Sequence, residues 1–238
     1  MDRSEPEDRG AGALDGHRAL PFGKRLPVRA PVNGRRRHFD AGMVIYSQGE
    51  DGDAWLLLEA GVVMTCRYGI DGHRHVTRFA VAGDVVGIDV GMRAETASAL
   101  TPVMLSPLVC DSGGGGEGAA DFMQMVLQKT LAELQDSQAL LARRTAVERV
   151  AAFLLLFGAR TGHISHVELP MSRADLADHL GLGMHTISRA FSQLLRSRFI
   201  ALADPHHVRL LQRGQLANLA GVDDDFRGDG GLRSPLVA

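Results

Sequence analysis

The chain has 238 residues, 45% of them hydrophobic, and a formal net charge of −2. That length holds one large domain or two modest ones, and the near-neutral balance excludes a polycation as a whole. No run of 18 apolar residues occurs, and the opening "MDRSEPEDRG" lacks the apolar centre of a signal peptide. Two cysteines, Cys66 and Cys110, without an export signal are expected to stay thiols. The expectation is a cytoplasmic protein with no membrane partner.

Residues 1–36 mix Gly, Pro, Arg and acidic side chains without a sustained period, which predicts a flexible arm ending in the solvated run Arg35-Arg36-Arg37. Over 37–112 short Val/Ile/Leu/Tyr-rich runs alternate with turn signals at Gly49, Asp51-Gly52, Gly61, Asp71-Gly72 and Gly83-Asp84. Strands of about four to eight residues between such turns predict an antiparallel sandwich or barrel. "IDG" between "MTCRY" and "HRHVTRF" predicts a hairpin, with Gly72 free to take positive φ.

Residues 113–144 read as a joint followed by a long helix. Four consecutive glycines, Gly113 to Gly116, cannot sit inside a stable element. From about Ala119 to Arg144, Leu127, Leu131, Leu134, Gln138, Leu141 and Thr145 recur at alternating steps of four and three. Such a narrow seam calls for a partner helix, so Leu127, Leu131, Leu134, Gln138 and Leu141 are expected to build a homodimer. The alternative is packing on the chain's own sandwich, and different faces can do both.

Residues 145–220 have a different texture. Thr145 and Glu148 form a capping box before the apolar helix "AVERVAAFLLLFGAR", "GHISHVEL" is a short strand, and Ser172 caps another helix. A Gly181–Gly183 turn then leads to a helix opening at Met184, and "FIALADPHHVRLL" folds as two strands about Asp204-Pro205. A helix-turn-helix followed by a hairpin is a winged helix. Residues 221–238 are expected to be a flexible tail. From Arg143 to Arg213 there are ten arginines, no lysine, five acidic residues and six histidines, a basic module that suits an anionic partner.

In a helix-turn-helix the second helix enters the DNA major groove, and its N-terminal residues reach deepest. Beside Met184 these are His185, Ser188 and Arg189, the candidate base contacts. An Arg can donate two hydrogen bonds to guanine O6 and N7. Ser172, Arg173 and Thr186 suit phosphate contacts, which position without reading sequence. Ile187, Phe191 and Leu194 are expected on the inner face. The alternative is an ordinary helical hairpin inside a core.

This order of parts resembles the Crp/Fnr transcription regulators over about residues 38 to 220. The resemblance rests on "GMVIYSQGEDGDAWLLLEAGVV", "VAGDVVG", "TAVERVAAFLLLF" and, most specifically, "LPMSRADLADHLGLGMHTISRAFSQL". It implies an α+β chain: an N-terminal antiparallel β-roll of the cyclic-nucleotide-binding type, a long dimerisation helix and a C-terminal winged helix-turn-helix domain. It also implies a homodimer on palindromic double-stranded DNA, acting with RNA polymerase, and in the Fnr/FixK-like branch an activator of oxygen-limited, nitrogen-fixation or denitrification genes. That branch carries Glu, Ser and Arg on the recognition helix. Here His185 stands where the Glu would be, which puts one base pair of the branch operator TTGAT-N4-ATCAA in question.

No cofactor is assigned. Cyclic AMP is disfavoured: Ile88 occupies the place of the family's ribose-binding Glu, Ala94 follows Arg93 where a Ser would meet the phosphate, and Leu134-Gln135 replace a Thr-Ser pair at the adenine. An iron–sulfur cluster needs about four thiolates, and the chain has two cysteines. Haem is left open, since several histidines can serve as axial ligands. His73 and His75 alternate on a strand, and a cupin-type metal protein or enzyme with a helical appendage is the rival class. A signalling adaptor with a degenerate winged helix is a third. No nucleophile triad, Walker loop or dinucleotide fingerprint occurs, so a non-enzyme is expected.

Overall fold

The short apolar runs between turns pair into antiparallel sheets. A computed structural model describes residues 35–52, 54–89, 91–108 and 117–222, with the side chains of 117–120 not described. The arm up to residue 34, Cys110, the glycines 113–116 and the tail beyond 222 lie outside the described residues.

Among the described residues ten strands make the first half: β1 (Arg37–Phe39), β2 (Val44–Tyr46), β3 (Asp51–Gly52), β4 (Trp55–Ala60), β5 (Val62–Tyr68), β6 (Arg74–Val81), β7 (Val85–Val86), β8 (Gly91–Met92), β9 (Thr96–Ala99) and β10 (Val103–Leu108). They form two four-stranded sheets, ordered β1-β10-β4-β7 and β2-β9-β5-β6, and a small β3-β8 pair. Leu58 and Leu105 from one sheet and Val63 and Ala97 from the other meet in a solvent-free core. This is the inward half of the strand alternation. The hairpin of β5 and β6 runs from Val62 opposite Val81 to Tyr68 opposite Arg74, and its turn places Gly72 at φ +77°.

Helix α1 (Glu117–Leu141) lies along this roll, with Phe122 and Val126 buried against Val85 and Leu108. Helix α2 (Ala146–Thr161) opens on the Thr145–Glu148 capping box and ends at Gly162 in the left-handed region. Then follow β11 (His166–Glu168), α3 (Arg173–Leu180), α4 (Met184–Arg196), β12 (Ile200–Leu202), β13 (His207–Leu210) and α5 (Arg213–Ala220). The sheet order is β11-β13-β12. The α5 segment "RGQLANLA" is short and carries a glycine, a weak local signal for a helix. Tertiary contact holds it, with Leu216, Ala217 and Ala220 buried in the α2 core.

That second core crosses from one half to the other. Val76, Phe79 and Val81 of β6 share it with Phe153 and Phe157 of α2 and Leu180 of α3. Arg74 of β6 reaches Asp175 and Asp178 of α3, both at 2.7 Å. His179 puts Nδ1 3.1 Å from the Val76 carbonyl and its ring 5.0 Å from Phe79. Burial drives the His179 pKa down to about 4, so the ring is neutral and its Nδ1–H donates to that carbonyl. The helix-turn-helix is thus docked on the β5–β6 hairpin. Among the described residues no helix is long and apolar enough to cross a membrane.

Candidate nucleic-acid interface

The site is built on α3, α4 and the turn between β12 and β13. Ser172 starts α3: its hydroxyl accepts from Asp175 N–H at 3.1 Å and donates to Asp175 Oδ2 at 2.6 Å. The Ser172 N–H also donates to Oδ2, so the box is reciprocal. Burial opposes ionisation of Asp175, but Ser172 and then Arg74 outweigh it and hold its pKa below the ordinary carboxylate value. Gly181, at φ +61°, ends the helix where a β-carbon would be strained, and Gly183 caps α4 without a side-chain bond. The first N–H groups of α4 therefore remain available to an anion.

Helix α4 is sharply two-faced. Ile187, Ala190, Phe191 and Leu194 are buried, while Met184, His185, Thr186, Ser188 and Arg189 are exposed. The 3.6-residue period dictates this split, and it gathers the three expected base-contact residues on one open surface at the start of the helix. Ser188 Oγ donates to the Met184 carbonyl at 3.1 Å, which fixes its rotamer. Met184, 48% exposed, stands beside them. It belongs to the same surface and is as close to the helix start as His185.

Two of the expected phosphate-contact residues have other partners. The Ser172 hydroxyl is engaged in its cap. Arg173 is half-buried: its guanidinium carbon sits 3.4 Å from the Phe191 ring centroid, and Nη2 donates to the Pro205 carbonyl at 3.2 Å. Thr186 is exposed at the start of α4. The turn itself is held by a reciprocal pair, Leu169 N–H to the His206 carbonyl at 2.7 Å and His206 Nδ1 to the Leu169 carbonyl at 2.7 Å. The bonds to Pro205 and between Leu169 and His206 gave no signal in the sequence, since they join residues more than thirty positions apart.

On α1, Leu127, Leu131 and Leu134 are 50%, 57% and 56% exposed, an apolar stripe along the helix, and Gln138 is exposed beyond them. Leu141 is placed differently: it is half-buried against the α2 core. In the roll, Arg93 is buried. Nη1 donates to the Gly87 carbonyl at 2.6 Å and Nη2 to the Ala54 carbonyl at 2.7 Å, and its guanidinium lies 4.7 Å from the Tyr46 ring centroid. His73 and His75 are exposed. Among the described residues no group of three or more His, Cys, Asp or Glu is placed to hold a metal ion. Cys66 is buried, and burial pushes its thiol pKa up.

The Crp-like helix-turn-helix domain matches residues 148–219 and the cyclic nucleotide-binding domain matches residues 36–107. The chain is 32% identical over 193 residues to the nitrogen fixation regulation protein FixK of Rhizobium meliloti, covering 80% of this chain and 90% of that protein. It is 33% identical over 196 residues to the protein of the same name from Bradyrhizobium diazoefficiens, covering 75% and 82% respectively. The structure of FixK2 from Bradyrhizobium japonicum superposes with a TM-score of 0.71 at 29% identity, over 78% of this chain and 96% of that one. With its β-roll, long helix and winged helix in this order, the chain belongs to the Crp/Fnr family of DNA-binding transcription regulators and is FixK-like.

Proposed function

We propose that the protein binds a palindromic operator as a homodimer, with α4 in the major groove, and activates genes of oxygen-limited growth, nitrogen fixation or denitrification together with RNA polymerase. The observation that carries this is the exposed cluster His185, Ser188 and Arg189 on the first turns of a helix whose opposite face is fully buried. Arg189 reads guanine, Ser188 allows close approach, and Thr186 with the uncapped amides of α4 meets phosphate. The names of the FixK relatives support the pathway. The exposed Leu127, Leu131 and Leu134 support the dimer.

The same reading assigns no resident cofactor. Arg93 already spends both Nη groups on backbone carbonyls, and a β-carbon at Gly87 would meet Nη1 at 2.4 Å. The Arg93 guanidinium is thus held by the roll's own backbone, and cyclic AMP stays disfavoured by Ile88, Ala94, Leu134 and Gln135. Two cysteines, Cys66 being buried, do not fit a four-thiolate cluster.

Binding-site selection from random duplexes, with the parent and with His185→Glu, tests the proposal. A palindrome is expected whose inner half-site follows Ser188 and Arg189. The pair facing residue 185 should change between the two proteins, because a carboxylate only accepts from cytosine N4 whereas an imidazole can donate. Identical motifs would remove His185 from base reading. Enrichment of no duplex would overturn the assignment of α4.

A further inference from the structure

Arg173 stands at the first position of α3, where a helix-turn-helix can use a cation to hold a phosphate. Its surroundings point elsewhere. The guanidinium carbon sits over Phe191, 3.4 Å from the ring centroid, and Phe191 is 4% exposed on the inner face of α4. One arm of the fork is used on the carbonyl of Pro205, in the turn between β12 and β13. Burial pushes the Arg173 pKa down, the mark of a cation drawn out of water. One side chain thus touches three parts of the DNA-binding domain: the start of α3, the middle of α4 and the tip of the wing.

We infer that Arg173 is a positioning residue for DNA binding, a brace that sets the wing against the recognition helix through Phe191 and Pro205. The inference rests on the reading of α4 as the recognition helix. A planar cation over an aromatic face and a directed N–H to a carbonyl are both geometric constraints. Together they limit how far the wing can swing from α4. The wing tip has a second tether, the reciprocal bonds of Leu169 and His206. Loss of Arg173 therefore loosens the tip and leaves the fold in place. With the tip loose, the dimer must order it at the moment of binding, and the angle at which Arg189 and His185 meet their base pairs is less defined.

A brace and a phosphate clamp differ in what they do to salt dependence and in what replaces them. Each phosphate neutralised contributes about −0.9 to the slope of log affinity against log salt, so one clamp per protomer contributes about −1.8 in a dimer. A lysine is a point charge that can serve a clamp, but it lacks the planar fork that lies on a ring and reaches a fixed carbonyl.

The test uses the full-length protein on its selected operator, at 20 °C and several salt concentrations, with Arg173→Ala, Arg173→Lys and, as control, Arg189→Ala. Hydrogen exchange of the wing amides and thermal unfolding are measured alongside. Both Arg173 variants are expected to bind about tenfold more weakly with the salt slope unchanged. Wing amides should exchange faster in both, and selectivity between the operator and single-base variants should narrow. Recovery of affinity in Arg173→Lys, or a slope shallower by about 1.8 in Arg173→Ala, would overturn the brace. So would unchanged affinity accompanied by a lower melting temperature, the result of a purely structural role. Loss of operator binding in Arg189→Ala shows that the recognition helix is assigned correctly whatever Arg173 does. A parent that prefers no duplex would overturn both readings together.

Discussion

Arg198 is the one residue other than glycine with a positive φ among the described residues, at +54°. It follows α4, where Phe199 N–H reaches the Leu194 carbonyl at 3.1 Å and Arg198 N–H reaches Leu195 at 3.0 Å. These are the two bonds of a Schellman closure, whose middle residue must be left-handed. A side chain there costs about 1 kcal/mol, part of which glycine gives back through its greater freedom when unfolded. Arg198→Gly is therefore expected to raise the melting temperature by about 1–2 °C. Thermal unfolding checks this, and a lower midpoint would show that the arginine makes a compensating contact. Gly181 plays the equivalent part after α3 and was legible as a turn from its residue type. Arg198 was not, because its φ is dictated by the return of Phe199 to the core.

At the scale of elements, α1 illustrates how one periodicity can serve two surfaces. Phe122, Val126 and Leu140 are buried within the chain, while Leu127, Leu131 and Leu134 remain exposed. In the proposed dimer these exposed leucines would form the seam with a partner helix. Replacing Leu131 and Leu134 by Asp places charge in that seam, where desolvation is costly. The double variant is expected to be a monomer by light scattering and to lose operator binding while keeping its circular dichroism. A dimer of parental mass in that variant would move the interface elsewhere. The spacing was plain in the sequence. That Leu141 turns to the α2 core, and Phe122 to Val85 and Leu108, depended on where α1 comes to lie on the roll.

Across the whole molecule, a buried charge cluster joins the roll, α1 and α2. Asp84, 2% exposed, pairs with Lys129 at 2.8 Å and with Arg160, and Glu133 faces Arg78 at 3.3 Å and Arg160 at 3.5 Å. Burial opposes ionisation of Asp84, but Arg160, Arg78 and Lys129 outweigh it and hold its carboxyl well below the ordinary value. Its contribution to stability is present at neutral pH and lost in acid. Asp136, half-buried beside them, has the opposite sign. Burial, opposed by Arg160 and aided by Glu133, raises its pKa from 3.8 to about 6. Between those two values the folded protein keeps a proton that the unfolded chain has released. Stability therefore falls as pH rises across that window and stays lowered above it. Asp136→Asn removes the penalty. It is expected to melt about 2–4 °C higher than the parent at pH 7.5, roughly 1 kcal/mol after allowance for solvent access, and to match it near pH 4. An advantage of the same size at both pH values would assign the effect to something other than ionisation.

The exposed face of α4 was determined by local sequence. A cap at Ser172, a turn at Gly181–Gly183 and the 3.6-residue spacing of Ile187, Phe191 and Leu194 suffice to form α3 and α4 and to turn His185, Ser188 and Arg189 outward, because each rule acts within a few residues. The hairpin at Asp71-Gly72 and the capping box at Thr145 were legible for the same reason. Only the tertiary structure decided that Arg74 binds Asp175 and Asp178, that His179 is buried and neutral, that α5 forms and that Arg173 lies on Phe191. Those contacts bring together side chains far apart in the chain, and no local pattern encodes which exposed cation will find a ring, a carbonyl or a carboxylate once the two halves dock.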